Sequence, residues 1–437
     1  MRSAQHIGFI IYELVNSYNA AMSLKLTVHN GADEIGGSCI ELLADNTKIV
    51  LDAGRPLAKD GIPAKLNKIK PNAIVISHPH MDHYGLIEND KSDAEIYIGE
   101  TGLNLINAAR LFCKKTKIRG NFKFFERSKV FHIGPFKITP YLMDHSAVDA
   151  YSFLIETKYG NVFYSGDFRG HGRKKVLLDI LEKDPPKNID FLFMEGTMLG
   201  RPTNEDVPTE DEVKDKITGI LEKQKNCSFL FSSSQNIDRI VSAYDACLIT
   251  GKIFVIDTYT AWILENIKKI SSRVPTIDWD FVRVLFFKQH CDALFSGPFP
   301  KSFISRTIKK RIQPQEIKEN PDKYLVQLST GLTKFVYGFK SDTNKPNMIY
   351  SQWLGYLEGD EYKKQYGGIR KLIDEGVVNF YYAHTSGHAT VTDLKRLVDA
   401  IKPKHLVPIH TECPDAYSDI FKNVLKIKNN DSVIIGA

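Results

Sequence analysis

Short apolar runs closed by turn residues fill the chain from Leu24 to about Leu199. KLTVHN, CIELLAD, TKIVLDAG, AIVISHPH, AEIYIGE, KITPYLMDH, AYSFLIET, NVFYSGD and IDFLFMEGT are rich in β-branched or aromatic positions. Many stop at Gly, Asp or Pro, a strand signature. One helix stands among them, with Leu103, Ile106, Ala109 and Leu111 at near-helical spacing. From about Arg201 the rhythm changes: EDEVKDKITGILEKQ, DRIVSAYDACLITG and AWILENIKKISS read as helices between the buried strands SFLFSSS and KIFVIDT. That is a βαβ alternation. Residues 275–320 give no clear pattern. After about Asp360 the first style returns, with a helix near 368–375, strand VVNFYYAH, helix TVTDLKRLVDAI and strands HLVPIH and SVIIGA. The simplest organisation is one domain split in sequence by an inserted one. The expected parts are an N-terminal extension (1–23), a first domain segment (24–205), an insert (206–358) and a closing segment (359–437).

Composition narrows the class. With 43% hydrophobic and 25% charged residues, the chain reads as globular rather than disordered or disulfide-stapled. No apolar run approaches the ~18 residues of a membrane span, and no membrane partner is expected. Ile7–Val15 is apolar but broken by Glu13 and preceded only by Arg2, so a short helix or a start upstream of Met22 is expected there rather than a secretory signal. The six cysteines are scattered without a CxxC pair; they read as reduced thiols of a cytoplasmic protein, and a cysteine-built zinc site is excluded. A net charge of +6 is compatible with a polyanionic partner without requiring one. Two local clusters, Arg169/Arg173/Lys174/Lys175 and Arg306/Lys309/Lys310/Arg311, read first as solvated faces.

The strongest chemical signal follows strand AIVIS: His78-Pro79-His80-Met81-Asp82-His83. His78 and His80 stand two apart on extended chain, so both leave on one side. Asp82 and His83 follow at a tight turn. Imidazole nitrogen and carboxylate oxygen are ligands for Zn²⁺, and the run can feed two metals at once. A chance H-x-H-x-D-H in a chain of this length is on the order of one in a thousand.

This run resembles the signature of the metallo-β-lactamase superfamily. Further positions match its pattern: Asp52 in VLDAG, His145 in MDHSA and Asp167 in YSGDF. The stretch from Asp167 to His410 is too long for compact hydrolases of that superfamily. It resembles the β-CASP group, in which a nucleic-acid-binding domain is inserted before the last ligand. Glu195 in FMEGT, His388 in TSGHA and His410 in VPIHTE match that group's later motifs, and SSSQNIDRI resembles the Ser/Asn turn and Asn-x-x-Arg helix that open its insert. The resemblance covers nearly the whole chain from Leu24.

The resemblance implies a four-layer αββα sandwich with an inserted α/β domain. It implies two Zn²⁺, with Mn²⁺ as the alternative: His78, His80 and His145 on one, Asp82, His83 and His410 on the other, Asp167 on both. Catalysis is expected from Asp82, His388 and Glu195, by attack of a metal-bridged hydroxide on phosphorus. Asp52 and Glu195 would orient imidazoles as outer carboxylates, and His384 would serve as a packing or supporting residue. His388 precedes a helix N-terminus, where phosphate oxygens are favoured; it would stabilise charge or protonate the departing 3′ oxygen. Ser234, Asn236 and Arg239 are either phosphate contacts or plain helix-start residues. The expected activity is hydrolysis of RNA by a ribonuclease J- or pre-mRNA 3′-end endonuclease-like enzyme. RNA or single-stranded nucleic acid is the partner, and a homodimer is an admissible assembly.

Two departures stand out. The Ser-rich turn that holds a 5′-terminal phosphate in ribonuclease J-like members has only Ser329 and Gly331 of QLSTGLTK to match it, which argues against 5′-end sensing. Thr411 stands where the late motif carries Gly. The dimerisation domain that follows the fold in ribonuclease J is expected to be missing. Tyr259, Trp262, Trp353 and Tyr356 are candidates for base stacking but have the spacing of core residues. The competing readings are a DNA nuclease of the same fold, another hydrolase of the superfamily for a thioester or lactam, and a non-catalytic scaffold. Intact ligands argue against the last.

Overall fold

The computed structural model describes residues 23–201 and 207–435. The N-terminal extension before residue 23, with its expected helix, and the expected 205/206 boundary lie outside the described residues.

Three sheets organise the chain. The first runs, in spatial order, Ser432–Ile435, Leu24–Asn30, Cys39–Ala44, Thr47–Leu51, Ala73–Val75, Glu95–Ile98 and Asn121–Phe124. The second runs His405–Ile409, Phe191–Glu195, Gly160–Tyr164, Tyr151–Thr157, Phe136–Leu142 and Phe131–Ile133. Alternation of side chains along each strand turns one face of each sheet toward the other. Leu24, Leu26 and Val28 meet Phe136, Ile138, Phe153 and Ile155 in a single buried core. The outer face of the first sheet is covered by helix Glu100–Phe112 through Leu103 and Ile106. The outer face of the second is covered by Val176–Lys183 and Val391–Ile401 through Leu178, Leu181, Leu394 and Leu397. The result is the four-layer αββα arrangement, with the closing segment returning one strand to each sheet.

The third sheet has the order Arg311–Ile312, Val282–Leu285, Ile253–Asp257, Tyr324–Leu328, Ser228–Phe231, Asn347–Tyr350 and Asn379–Tyr382. All its pairings are parallel. Both faces are covered by apolar side chains, as a parallel sheet with helical crossovers requires. The region without a clear pattern holds two short amphipathic helices, Lys288–Ser296 and Lys301–Lys309. One expectation shifts. Strand Asn379–Tyr382, read above as part of the returning domain, pairs with the third sheet as its edge. We therefore propose that the chain crosses back after Tyr382 rather than at 359. The physical reason is that this strand's aromatic residues fit an edge as well as a core strand, so composition did not locate it. All six cysteines are free thiols. Among the described residues no helix is long and apolar enough to cross a membrane.

Candidate metal centre

Strand ends bring the chemical residues together. Strand Thr47–Leu51 delivers Asp52, strand Ala73–Val75 delivers Ser77 and His78, and strand His405–Ile409 delivers His410. Asp52 and His410 sit at φ 56° and 50°. That left-handed region is uncommon for residues other than Gly, and here it turns each side chain back over the sheet ends. His80 caps the one-turn helix Met81–Tyr84, which carries Asp82 and His83. Gly54 lets that turn approach: a Cβ there would collide with the Asp82 carbonyl.

The outer partners of the imidazoles fix their tautomers. Ser77 Oγ donates to Asp52 Oδ2 at 2.7 Å, so it accepts from His78 Nδ1 at 3.0 Å. His145 Nδ1 donates to the Gly387 carbonyl at 2.6 Å. His83 Nδ1 donates to Asp52 Oδ2 at 2.7 Å. The Thr197 hydroxyl donates to the His410 carbonyl and accepts from His410 Nδ1 at 2.9 Å. In each of these four rings the proton is therefore on Nδ1 and the Nε2 lone pair points inward. Those lone pairs then face other acceptors at short range. His78 Nε2 and His145 Nε2 lie 3.1 and 3.2 Å from His80 Nδ1. His83 Nε2 lies 3.2 Å from both His410 Nε2 and Asp167 Oδ2, and His410 Nε2 lies 3.2 Å from Asp82 Oδ2. Asp167 Oδ1 is buried with no hydrogen-bond partner. Converging lone pairs and an orphaned carboxylate oxygen repel one another unless a cation stands between them, so this donor set fits divalent metal ions.

The ligand-type atoms form overlapping groups: His78/His80/His145, Asp82/His83/His410, His78/His83/Asp167 and Asp167/Glu195/His388/His410. Burial, reinforced by neighbouring imidazoles, pushes the His78 and His145 pKa values well below the ordinary range, which keeps both rings neutral ligands. Burial acts the same way on His83, but the carboxylates of Asp167, Asp52 and Asp82 outweigh it and raise its pKa. Burial would raise the Asp167 carboxyl; His410 and His83 outweigh it and hold it well below the usual range. The pocket thus stabilises positive charge at its centre.

Glu195 accepts from the backbone N–H groups of Phe168, Thr197 and Ala389 and from His388 Nδ1 at 3.2 Å. His388 stacks beside His410, with ring centroids 5.6 Å apart. It lies just before helix Val391–Ile401, as expected.

Several expected residues are placed elsewhere. Arg239 is fully buried, and its guanidinium is spent on Glu210, Ser351 and the Ala383 carbonyl, so it is closed to phosphate. Asn236 caps helix Ile237–Thr250 by accepting from Arg239 N–H, and Ser234 is buried against Thr260 and Gln327. Of the three, only Asn236 takes the helix-start role; Ser234 and Arg239 are held by interior polar contacts. The His384 ring lies beside Tyr382, and among the described residues it belongs to none of the groups that could hold a metal. The Arg169–Lys175 cluster is a solvated face only in part, with Arg173 and Lys175 exposed. Arg169 is buried on Asp144 and Asp238, Arg173 pairs with Asp245, and Lys174 pairs with Asp238.

Residues that the sequence reading missed are Ser77, Thr197 and Tyr164, whose hydroxyl donates to Asp52 at 2.5 Å. Each stands within three positions of a named site residue on the same strand end, and that adjacency is the signal that could have found them.

A profile described as the metallo-beta-lactamase superfamily matches residues 32–187, and one described as "Zn-dependent metallo-hydrolase RNA specificity domain" matches residues 379–426. The chain belongs to the metallo-β-lactamase superfamily. Its superfamily relatives include ribonuclease J of Helicobacter pylori, 24% identical over 90% of this chain and 57% of that protein. Ribonuclease J of Mycoplasma genitalium is 23% identical over 93% of this chain and 69% of that protein. Ribonuclease J 2 of Streptococcus pyogenes is 22% identical over 90% of this chain and 70% of that protein. The chain thus spans little more than half the length of the Helicobacter relative. These relatives make it ribonuclease J-like, of the β-CASP group. A solved structure of a protein of unknown function from Enterococcus faecalis has the same fold, with a TM-score of 0.73 at 18% identity, covering 94% of this chain and 100% of that one.

Proposed function

We propose that this protein is a ribonuclease: a phosphodiesterase that hydrolyses RNA with two divalent metal ions, Zn²⁺ first and Mn²⁺ as the alternative. One observation carries the reading. The Nε2 lone pairs of His78, His145, His83 and His410 converge with His80, Asp82 and Asp167 at the strand ends, beside an inserted parallel sheet.

In this reading His78, His80 and His145 would hold one ion and Asp82, His83 and His410 the other, with Asp167 available to both. When bound, such a pair supplies Lewis acidity and a water acidic enough to react at neutral pH. The chain's own residues do the rest. Asp52 holds His83, and through Ser77 it also holds His78, in the tautomer that presents Nε2. Thr197 does the same for His410. His388 Nδ1 donates to Glu195, and in the imidazolium form that this carboxylate favours the Nε2 proton is the one that can pass to the departing 3′ oxygen. RNA rather than DNA is supported by the RNA-specificity profile over 379–426 and by the ribonuclease J relatives. We place its action in the cytoplasm, where free thiols such as these six persist.

The test uses end-labelled RNA and single-stranded DNA of one sequence, with zinc or manganese, with chelator, and with Asp82→Asn. RNA cleavage that disappears in the chelated and substituted samples is expected. Cleavage that survives both would remove the metal mechanism, and equal cutting of DNA would remove the RNA assignment.

A further inference from the structure

Of the four aromatic side chains picked out as stacking candidates, three are packed. Tyr259 and Trp262 lie against one core of the inserted domain and Tyr356 against the other. Trp353 is the exception, at 41% exposed, in the turn after strand Asn347–Tyr350. Its indole carries a cation: the Arg201 guanidinium carbon stands 4.9 Å from the ring centroid. The two residues come from different domains. Arg201 ends the turn that follows Glu195 in the second sheet, and Trp353 follows a strand of the third sheet, so the pair bridges the ends of two sheets.

Arg201 is unusual in what it lacks. Among the described residues its guanidinium makes one polar contact, Nη1 to the Met198 sulfur at 4.0 Å, and no carboxylate lies within ion-pair distance. It is nevertheless partly buried. A half-buried guanidinium left without an oxygen partner is costly, and its fork of donors is suited to phosphate. Its position is beside the metal centre. The Met198 sulfur that it touches accepts from the Ser386 hydroxyl at 3.2 Å, and that hydroxyl in turn accepts from the His388 N–H at 3.0 Å. The charges of Glu412 and Glu195 also act on it, and Tyr356 feels both Arg201 and Asp82.

We propose that Arg201 and Trp353 together grip the RNA strand next to the scissile position, Arg201 donating to a phosphate oxygen and Trp353 stacking on the neighbouring base. The inference rests on the ribonuclease reading above and names the positioning residues for its substrate. Cation and base on one indole is a combination that each component favours.

The experiment uses full-length protein stripped of metal by chelator, titrated with a short single-stranded oligoribonucleotide. Tryptophan emission and anisotropy of a labelled strand are followed together, and cleavage kinetics are measured on the metal-loaded protein. Binding is expected to quench emission in the wild type. Trp353→Ala should lose that quench and bind about tenfold or more weakly, whereas Trp353→Phe should be silent in emission yet keep the affinity. Arg201→Ala should flatten the slope of log affinity against log salt by about 0.7, and Arg201→Lys should preserve it. In cleavage, both alanine variants should raise KM about tenfold with kcat within about threefold, the sign of lost binding rather than lost chemistry. Unchanged quench and affinity in Trp353→Ala, or an unchanged salt slope in Arg201→Ala, would overturn the inference. A wild type that cleaves RNA while both variants match it sinks this inference alone. A wild type that binds with the expected quench but leaves RNA intact sinks the ribonuclease reading and leaves the grip standing.

Discussion

Replacing Asp52 by Asn tests the tautomer argument at its root. Asp52 is fully buried, and its two oxygens accept four hydrogen bonds: Ser77 N–H at 2.6 Å, Ser77 Oγ at 2.7 Å, Tyr164 OH at 2.5 Å and His83 Nδ1 at 2.7 Å. Asn has the same size and tolerates the positive φ of this position. Its amide, however, can accept on one side only. If the carbonyl keeps the Ser77 N–H, the NH₂ group faces His83 Nδ1, and two donors meet. The ring escapes by moving its proton to Nε2, which removes the lone pair aimed at Asp167 and His410. Loss of such an outer partner typically lowers metal affinity 10- to 100-fold, or about 1.4–2.7 kcal/mol. The loss should fall mainly on the Asp82/His83/His410 ion, because His83 bonds Asp52 directly, whereas His78 is reached only through Ser77 and His80 and His145 do not depend on Asp52. Competition against a chromophoric chelator, resolved into two equivalents, reads it directly. Two equivalents bound with wild-type affinity, or a loss confined to the His78/His80/His145 side, would refute the assignment of tautomers.

Three further outcomes follow from the same structure. Burial would raise the Glu210 carboxyl, but Arg239 and Arg169 outweigh it and bring its pKa from 4.5 down to about 2; a depressed carboxyl stabilises the fold above its unfolded pKa and loses that contribution as pH falls through the folded value. About 3 kcal/mol should therefore disappear between roughly pH 5 and pH 2, and Glu210→Gln should show a flatter stability-against-pH curve in urea melts; parallel curves would count against it. Gly54→Ala should cost about 3 kcal/mol and weaken metal binding, since the added Cβ strikes the Asp82 carbonyl and stands 2.8 Å from the Ser38 nitrogen; calorimetry showing wild-type stability would contradict that packing. Thr197→Val should cost only about 1 kcal/mol of stability yet lower zinc affinity about tenfold, by freeing His410 to change tautomer; unchanged zinc affinity would separate Thr197 from the site.

Four candidate ligands were legible because metal chemistry is local in sequence where it is most demanding, and the others came with the family resemblance. Four ligands fall within six residues at His78–His83, and the remaining ones each close a strand. The strands were legible as short β-branched or aromatic runs closed by turn residues, such as Leu24–Asn30, whereas their stacking into four layers was what the family resemblance implied. What was not legible has a common cause. Ser234, Asn236 and Arg239 carry side chains that cap helices, pair with carboxylates or bind phosphate equally well, and only burial decides among these. Burial took Arg239 out of reach of phosphate by placing Glu210 against it. Trp353 shows the reverse case. Its spacing is that of a core residue, and its exposure depends on a turn whose geometry the sequence does not state.

Buried charges tie helix Ile237–Thr250 to the loops of the candidate metal centre. Arg169 follows Asp167 by two positions, and its guanidinium pairs with Asp238 of the inserted helix at 2.6 Å and donates to the Ser386 carbonyl at 2.8 Å. It also approaches Asp144, the residue before His145, at 3.5 Å. Next to Asp238, Arg239 binds Glu210 at 3.1 Å and the carbonyls of Ser351 and Ala383. A buried ion network of this kind adds little net stability, because desolvation offsets the attraction. Its effect is on register: each donor has one set of acceptors, so sliding the insert would strand charges in the interior at several kcal/mol each. The residues so tied immediately flank His145, Asp167 and His388. The same bonds that orient the inserted helix therefore hold the loops of the metal centre, and the span between Arg201 and Trp353 is set by contacts that neither residue makes.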